Sequence, residues 1–132
     1  MKQPIRTLVV DDNPVARSAI CSVVEGNEAL QLVGTANNGL EALEKAESLK
    51  PDLILMDLYM PGMDGIETTR RLRRRFPDIR VVMVTVYDTE EFRVAARGSG
   101  AHGFIRKSEL ARELDGQIAL LFARGDKNEN SE

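Results

Sequence analysis

An α/β fold, a doubly wound five-stranded parallel sheet of the (βα)5 type, is what this sequence predicts. Three observations lead there. Short apolar runs alternate with segments of helical spacing, five times along the chain. Most of the runs are rich in Val, Ile or Leu, as strands covered on both faces require. The chain has 132 residues, enough for one domain around one core. Alternation of this kind implies helices on both faces of the sheet and right-handed crossovers. The strand order 2-1-3-4-5 is adopted as the common one for such folds.

The first strand is expected over Ile5–Val10. In "NPVARSAICSVVEG", Ala16, Ala19, Ile20, Val23 and Val24 recur at helical steps, with Asn13 as N-cap and Pro14 at the first helical position. The second strand is Leu30–Ala36. In the helix "NGLEALEKAESLKP", Leu40, Leu43, Ala46 and Leu49 make one stripe, and Asn38 with Glu41 has capping-box spacing. The third strand, Leu53–Met56, leads to "DGIETTRRLRRRFP", where Asp64 and Glu67 repeat that spacing and Ile66, Leu72 and Phe76 point inward. The fourth, Val81–Val84, leads to "DTEEFRVAARGSG", which starts with Asp88 and Glu91 and stops at glycine. The fifth, Gly103–Ile105, leads to "SELARELDGQIALLFARG", with Leu110, Leu114, Ile118 and Leu121 on one face and Ser108 as N-cap. The polar end, "GDKNENSE" (125–132), reads as a disordered tail or the start of a linker.

Composition narrows the function classes. The formal charge is −3, from 18 basic and 21 acidic side chains, which gives no general reason to expect nucleic-acid binding. No apolar run approaches the ~20 residues of a membrane span, and "MKQPIRTLVVDD" lacks a signal-peptide layout. The lone Cys21 excludes an internal disulfide and fits a small apolar residue on a helix. A cytoplasmic protein with no membrane partner is the expectation. The five arginines of "RRLRRRF" read better as a solvated helical face than as a nucleic-acid patch. His102 reads as a surface or interface residue.

The chemistry gathers at the carboxyl ends of the strands. The first ends in Asp11 and Asp12, the third in Asp57 and the fourth in Thr85, while Lys107 follows the fifth. Ligands of open parallel sheets bind outside these ends at a switch point, here between the first and third strands. Three clustered carboxylates stay ionised only around a cation, and an all-oxygen set suits Mg²⁺ rather than zinc. A carboxylate, Mg²⁺, an ammonium and a hydroxyl form a site for phosphoryl transfer, with Asp as nucleophile.

With these motifs in view, the sequence resembles a response-regulator receiver domain of two-component signalling, CheY-like. "LVVDD", "LILMDLYMPGMDG", "VVMVT" and "GFIRK" occur in family order. "GTANNGLEAL", "GAHGFIRKS" and Ser108, where many receivers have proline, resemble the LuxR-type (NarL/FixJ) branch. The resemblance implies a receiver over 1–124. It implies Asp57 as phosphoacceptor, Thr85 and Lys107 contacting the phosphoryl oxygens, and Phe104 as switch aromatic. Mg²⁺ would be held by Asp57, Asp12, the Tyr59 backbone carbonyl and, mainly through water, Asp11. A sensor histidine kinase or phosphotransfer protein would be the donor. The face made by the fourth helix, fifth strand and fifth helix would be the output.

Such a domain is a signalling phosphoacceptor rather than an enzyme on free substrates. An aspartyl-nucleophile phosphatase would carry a second Asp two residues on, where Tyr59 stands. Tyr59 and Tyr87 flank the site, and two readings stay open: rings that slow loss of the phosphoryl group, or amphipathic surface residues. The output also stays open between the regulatory part of a LuxR-type DNA-binding regulator and a stand-alone receiver acting through protein contacts. DNA would be met only through a separate effector domain, and a homodimer is compatible with either.

Overall fold

The computed structural model describes residues 3–122, so the expected tail at 125–132 lies outside the described residues. Five strands, β1 (Ile5–Val10), β2 (Leu30–Ala36), β3 (Leu53–Met56), β4 (Arg80–Thr85) and β5 (Gly103–Arg106), alternate with five helices. These are α1 (Pro14–Glu25), α2 (Gly39–Leu49), α3 (Gly65–Arg75), α4 (Glu90–Gly98) and α5 (Leu110–Leu121). All strand pairs are parallel and the order is β2-β1-β3-β4-β5, which bears out the doubly wound fold.

Why β3 and much of β1 and β4 are apolar is clear from the two sides of the sheet. Leu8, Val10, Ile54, Met56, Val81 and Met83 pack with Leu43, Ala46, Leu72 and Ala96 of α2, α3 and α4. Their sequence neighbours Val9, Leu53, Leu55, Val82, Val84 and Ile105 pack with Ile20, Val24, Leu110 and Leu114 of α1 and α5. Successive strand residues point to opposite faces, so a sheet buried on both faces needs no polar alternation. Each such side chain contributes about 1.5–3 kcal/mol by leaving water. Among the described residues no helix is long and apolar enough to cross a membrane.

Several local expectations are corrected. In α2, Leu40 is 63% exposed and Ala42 is buried beside Leu43, so the inward stripe is Ala42, Leu43 and Ala46 with Leu49 at its edge. Ala19 of α1 is exposed too. The N-cap of α4 is Thr89, whose hydroxyl accepts from the Phe92 N–H, while Asp88 is spent on arginines described below. Ser108 caps nothing: it lies inside a 3-10 turn, Lys107–Glu109, that runs directly into α5. The continuous helical path through that turn leaves no extended N-cap position for Ser108 to occupy. Asn13, Asn38 and Asp64 cap as expected. No cis peptide bond occurs among the described residues.

Candidate functional site

Two strand alternations deliver the acids. Asp11 and Asp57 continue the phase of Val9 and Leu55, and Lys107 continues that of Ile105, so all three emerge on the α1/α5 side of the sheet edge. The ladder carries on past the strands, with Asp57 N–H donating to the Val10 carbonyl (2.9 Å) and Asp11 N–H to the Ala36 carbonyl (3.1 Å). The backbone of both acids is therefore held by extensions of the sheet's own ladder. Asp11 is fully buried and Asp57 is 7% exposed, whereas Asp12 faces solvent. Carboxylate oxygens of Asp11, Asp12 and Asp57 lie within 4.8 Å of one another.

Lys107 Nζ sits 2.7 Å from Asp11 Oδ2 and 3.6 Å from Asp57 Oδ1. Asp57 Oδ1 also accepts the Leu58 N–H at 2.9 Å, and Asp11 Oδ1 accepts that of Asn13 at 2.9 Å. Desolvation, with repulsion from Asp11 and Asp12, outweighs Lys107 and the Leu58 bond and pushes the Asp57 carboxyl up to about 6. Burial would lower the pKa of Lys107, but Asp11 and Asp57 overcome it and raise it, so the ammonium stays charged. One ammonium faces three carboxylates. Asp11 Oδ2, although within ion-pair reach of Lys107, has no aligned hydrogen-bond donor. A buried, under-satisfied carboxylate oxygen in an all-oxygen cluster fits a hard divalent cation of the Mg²⁺ kind.

The third-strand loop is tied closely to the acid. Gly65 N–H donates to the Leu58 carbonyl (2.8 Å), and a Cβ at Gly65 would overlap the Asp57 carbonyl oxygen. Only glycine lets α3 start against the strand end that carries Asp57. Thr85 is fully buried at the end of β4, and its hydroxyl accepts the Tyr87 N–H at 3.2 Å. Around the acids lies an open cleft of about 510 Å³, lined by Asp11, Asp57, Lys107, Tyr59 and Tyr87, with Val15 and Val86 among its other walls. Val15 is 79% and Val86 62% exposed, an apolar rim beside a charged floor.

Phe104, on β5, is half-buried, and the Arg93 guanidinium of α4 lies over its ring at 4.7 Å. Arg93 Nε also meets Asp88 Oδ1 at 2.6 Å, and Asp88 Oδ2 meets Arg106 Nε at 3.1 Å. The hydrogen bond from Arg93 and the charge of Arg106 hold the Asp88 carboxyl below its usual range. This clasp escaped the sequence reading, because nothing in "DTEEFR" announces that Asp88 turns to β5. The Val15 and Val86 rim escaped it as well, since lone exposed apolar residues carry no signal without the cleft they border.

His102 was expected at the surface or an interface, and its ring has a backbone partner within the sheet. It is half-buried, its Nδ1 accepts the Val81 N–H at 3.0 Å and its own N–H donates to the Val81 carbonyl at 2.7 Å, extending the β4–β5 pairing. Burial, helped by Arg73 and Arg80, pushes its pKa down and keeps it neutral, as an acceptor must be. Cys21 is half-buried against the α1/α5 core, as a small apolar residue should be. Three arginines of α3 pair with acids: Arg70 and Arg71 with Glu67 on the same helix, and Arg75 with Glu47 of α2.

Acidic side chains from two strands, an ammonium after the fifth and a buried threonine at the fourth meet at the carboxyl edge of a doubly wound sheet. The response regulator receiver domain model matches residues 7–119, and the chain belongs to that family. It is 44% identical over 119 residues to the response regulator GacA of Pseudomonas viridiflava, covering 90% of this chain and 56% of that one. Among solved structures, the response regulator domain of Thermotoga maritima CheB is 35% identical with a TM-score of 0.83, covering 90% of this chain and 96% of that one. A LuxR-family two-component response regulator from Aurantimonas is 32% identical with a TM-score of 0.84, covering 90% and 86%. The LuxR-type branch is thus the chain's neighbourhood, and the chain spans just over half the length of the curated relatives it matches.

Proposed function

We propose that Asp57 accepts a phosphoryl group from a phosphohistidine of a sensor kinase or phosphotransfer protein. What carries the reading is the placement of Asp57: a buried carboxylate at a strand end, 3.6 Å from the Lys107 ammonium and within 4.8 Å of Asp11 and Asp12 oxygens. A carboxylate oxygen of Asp57 attacks phosphorus, the bond to the imidazole nitrogen breaks, and that nitrogen keeps the electron pair. Lys107 and the Thr85 hydroxyl contact the phosphoryl oxygens. Asp57, Asp12 and the Tyr59 carbonyl would hold Mg²⁺, with Asp11 acting mainly through water. When bound, the cation neutralises the carboxylates and the charge that develops on the transferred group.

The added charge, about −1.5 to −2 for a phosphoresidue, then draws Thr85 inward, and Phe104 follows into the space behind it. The surface of α4, β5 and α5 changes, and a partner reads it. The domain is a switch, not an enzyme on free substrates: Tyr59 occupies the place where an aspartyl-nucleophile phosphatase would carry its acid. The half-length match to LuxR-type regulators supports a regulatory part whose DNA contact lies in a separate effector domain. A homodimer and a soluble, cytoplasmic setting are consistent with this role.

Intact mass after incubation with Mg²⁺ and acetyl phosphate tests the reading directly. One acid-labile phosphoryl group is expected, and none in Asp57→Asn. If neither acetyl phosphate nor a panel of histidine kinases labels the wild type, the phosphoacceptor reading fails.

A further inference from the structure

Three rings meet at one wall of the cleft. Tyr59, from the loop after β3, and Tyr87, from the loop after β4, stand edge to face with centroids 4.6 Å apart and planes at 77°. Phe92, in the first turn of α4, closes the triangle. It lies 5.6 Å from Tyr59 at 82° and 5.6 Å from Tyr87 at 59°. Edge-to-face pairs at 4.5–7 Å are attractive beyond their buried area. Phe92 is anchored from two directions: its N–H is taken by the Thr89 cap, and its ring packs on the core under α4. The tyrosines are not anchored so well, at 49% and 43% exposed. The one fixed member is therefore the one that does not line the cleft.

We infer that Phe92 is a positioning residue: it holds the Tyr59 and Tyr87 rings over the mouth of the Asp57 cleft and so sets how long the aspartyl phosphate survives. The inference rests on the phosphoacceptor reading above. Loss of the phosphoryl group requires a water oxygen to attack phosphorus. The bond to the Asp57 oxygen breaks, its electron pair returns to the carboxylate, and inorganic phosphate and a proton leave. The attacking water comes from the solvent side, where the two rings stand. A tyrosine with half its surface in water rotates freely unless something fixes it, and here that something is a ring on α4. Because α4 belongs to the face proposed to move on activation, lifetime and output share a hinge. A shift of α4 that withdraws Phe92 unpins the rings and shortens the signal.

The protein carries its own reporter. It has two tyrosines and no tryptophan, so its near-ultraviolet tyrosine circular dichroism comes from this triangle alone. The experiment uses the full chain, wild type against Phe92→Ala, Phe92→Leu and Phe92→Tyr. The tyrosine band is recorded without phosphate, and phosphoryl decay is followed by intact mass after removal of acetyl phosphate. Phe92→Leu keeps apolar volume under α4 without a ring, so it separates positioning from loss of packing. Expected for both Ala and Leu are a weakened tyrosine band and a decay roughly three- to tenfold faster, the scale of a lost aromatic pair. Phe92→Tyr should restore the slow decay; it adds a third tyrosine, so it is read by decay alone. Labelled protein whose decay is unchanged in Phe92→Leu overturns the positioning role and leaves the phosphoacceptor reading intact. Absence of label in the wild type overturns both.

Discussion

The end of β1 and β3 and the region of α4 and β5 are built on opposite plans. At the first, every residue of β3 is buried, Asp11 and Asp57 ride on backbone ladders, and glycine at 65 lets a helix lock against the Asp57 carbonyl. At the second, Ala96 is the one buried residue of α4, Val94 is 52% exposed, and the helix is tied to β5 by an exposed clasp of Asp88, Arg93 and Arg106. Chemistry demands groups fixed before the reaction begins. A readout demands an element that moves for a small change in free energy, and such elements are found where buried contacts are few. In the proposed function one sheet would serve both, with buried contacts dense at β3 and sparse at α4.

The sharpest way to break this contrast is at the rigid end. Gly65→Ala forces a methyl into the Asp57 carbonyl and should cost about 3 kcal/mol in urea unfolding, at the upper end of overpacking effects. A loss below about 1 kcal/mol would mean that the third-strand loop yields easily, and the rigid half of the comparison would fall.

Next in size is Asp57→Asn. Unfolded, this carboxyl releases its proton near 3.8; folded, it holds it to about 6. Between those values the folded state binds more protons, so stability falls as pH rises through the window and stays lower above it. Asparagine removes the charge. In the absence of divalent cations it should be more stable than wild type by roughly 2 kcal/mol at pH 7 and indistinguishable at pH 3. Mg²⁺ should raise the wild-type melting temperature more than that of Asp57→Asn. Equal stability of the two proteins at pH 7 would show that the site pays nothing for its buried acids.

On the yielding side the effects are smaller and read by exchange. Asp88→Asn should speed amide hydrogen exchange in α4 by roughly two- to fivefold while leaving β3 unchanged. Uniform acceleration across the sheet would show that α4 is not a separate unit. Smallest of all, Arg75→Ala, which removes the exposed pair with Glu47, should shift stability by about 0.5 kcal/mol or less.

The same division decides what could be read from the sequence. β1, β2 and β3 were legible to the residue; β1 and β3 are apolar runs with sharp ends, flanked by Pro4 and Asp11 and by Asp52 and Asp57. So was the meeting of Asp11, Asp57 and Lys107, because each follows the carboxyl end of a strand, where such sheets gather their ligand groups. On the side of α4 and β5 the reading failed in detail. Asp88 looked like a cap and is a clasp; Ser108 looked like a cap and lies within a turn. Tyr59 and Tyr87 were legible as neighbours of the site, but Phe92 was not, since its contact depends on how α4 is laid over two loops. Local capping rules choose among nearby oxygens, and tertiary ion pairs can claim the same oxygen more strongly.

The clasp has one further consequence. Its arginines are 40% and 53% exposed, so their hold on Asp88 is felt through water and fades as ions accumulate within the ~8–10 Å screening distance of dilute salt. The buried acids near Asp57 are shielded from that influence. Ionic strength would therefore loosen the tie between α4 and β5 while leaving the enclosed Asp11, Asp57 and Lys107 cluster largely unchanged, so the medium tunes one region of the molecule and spares the other.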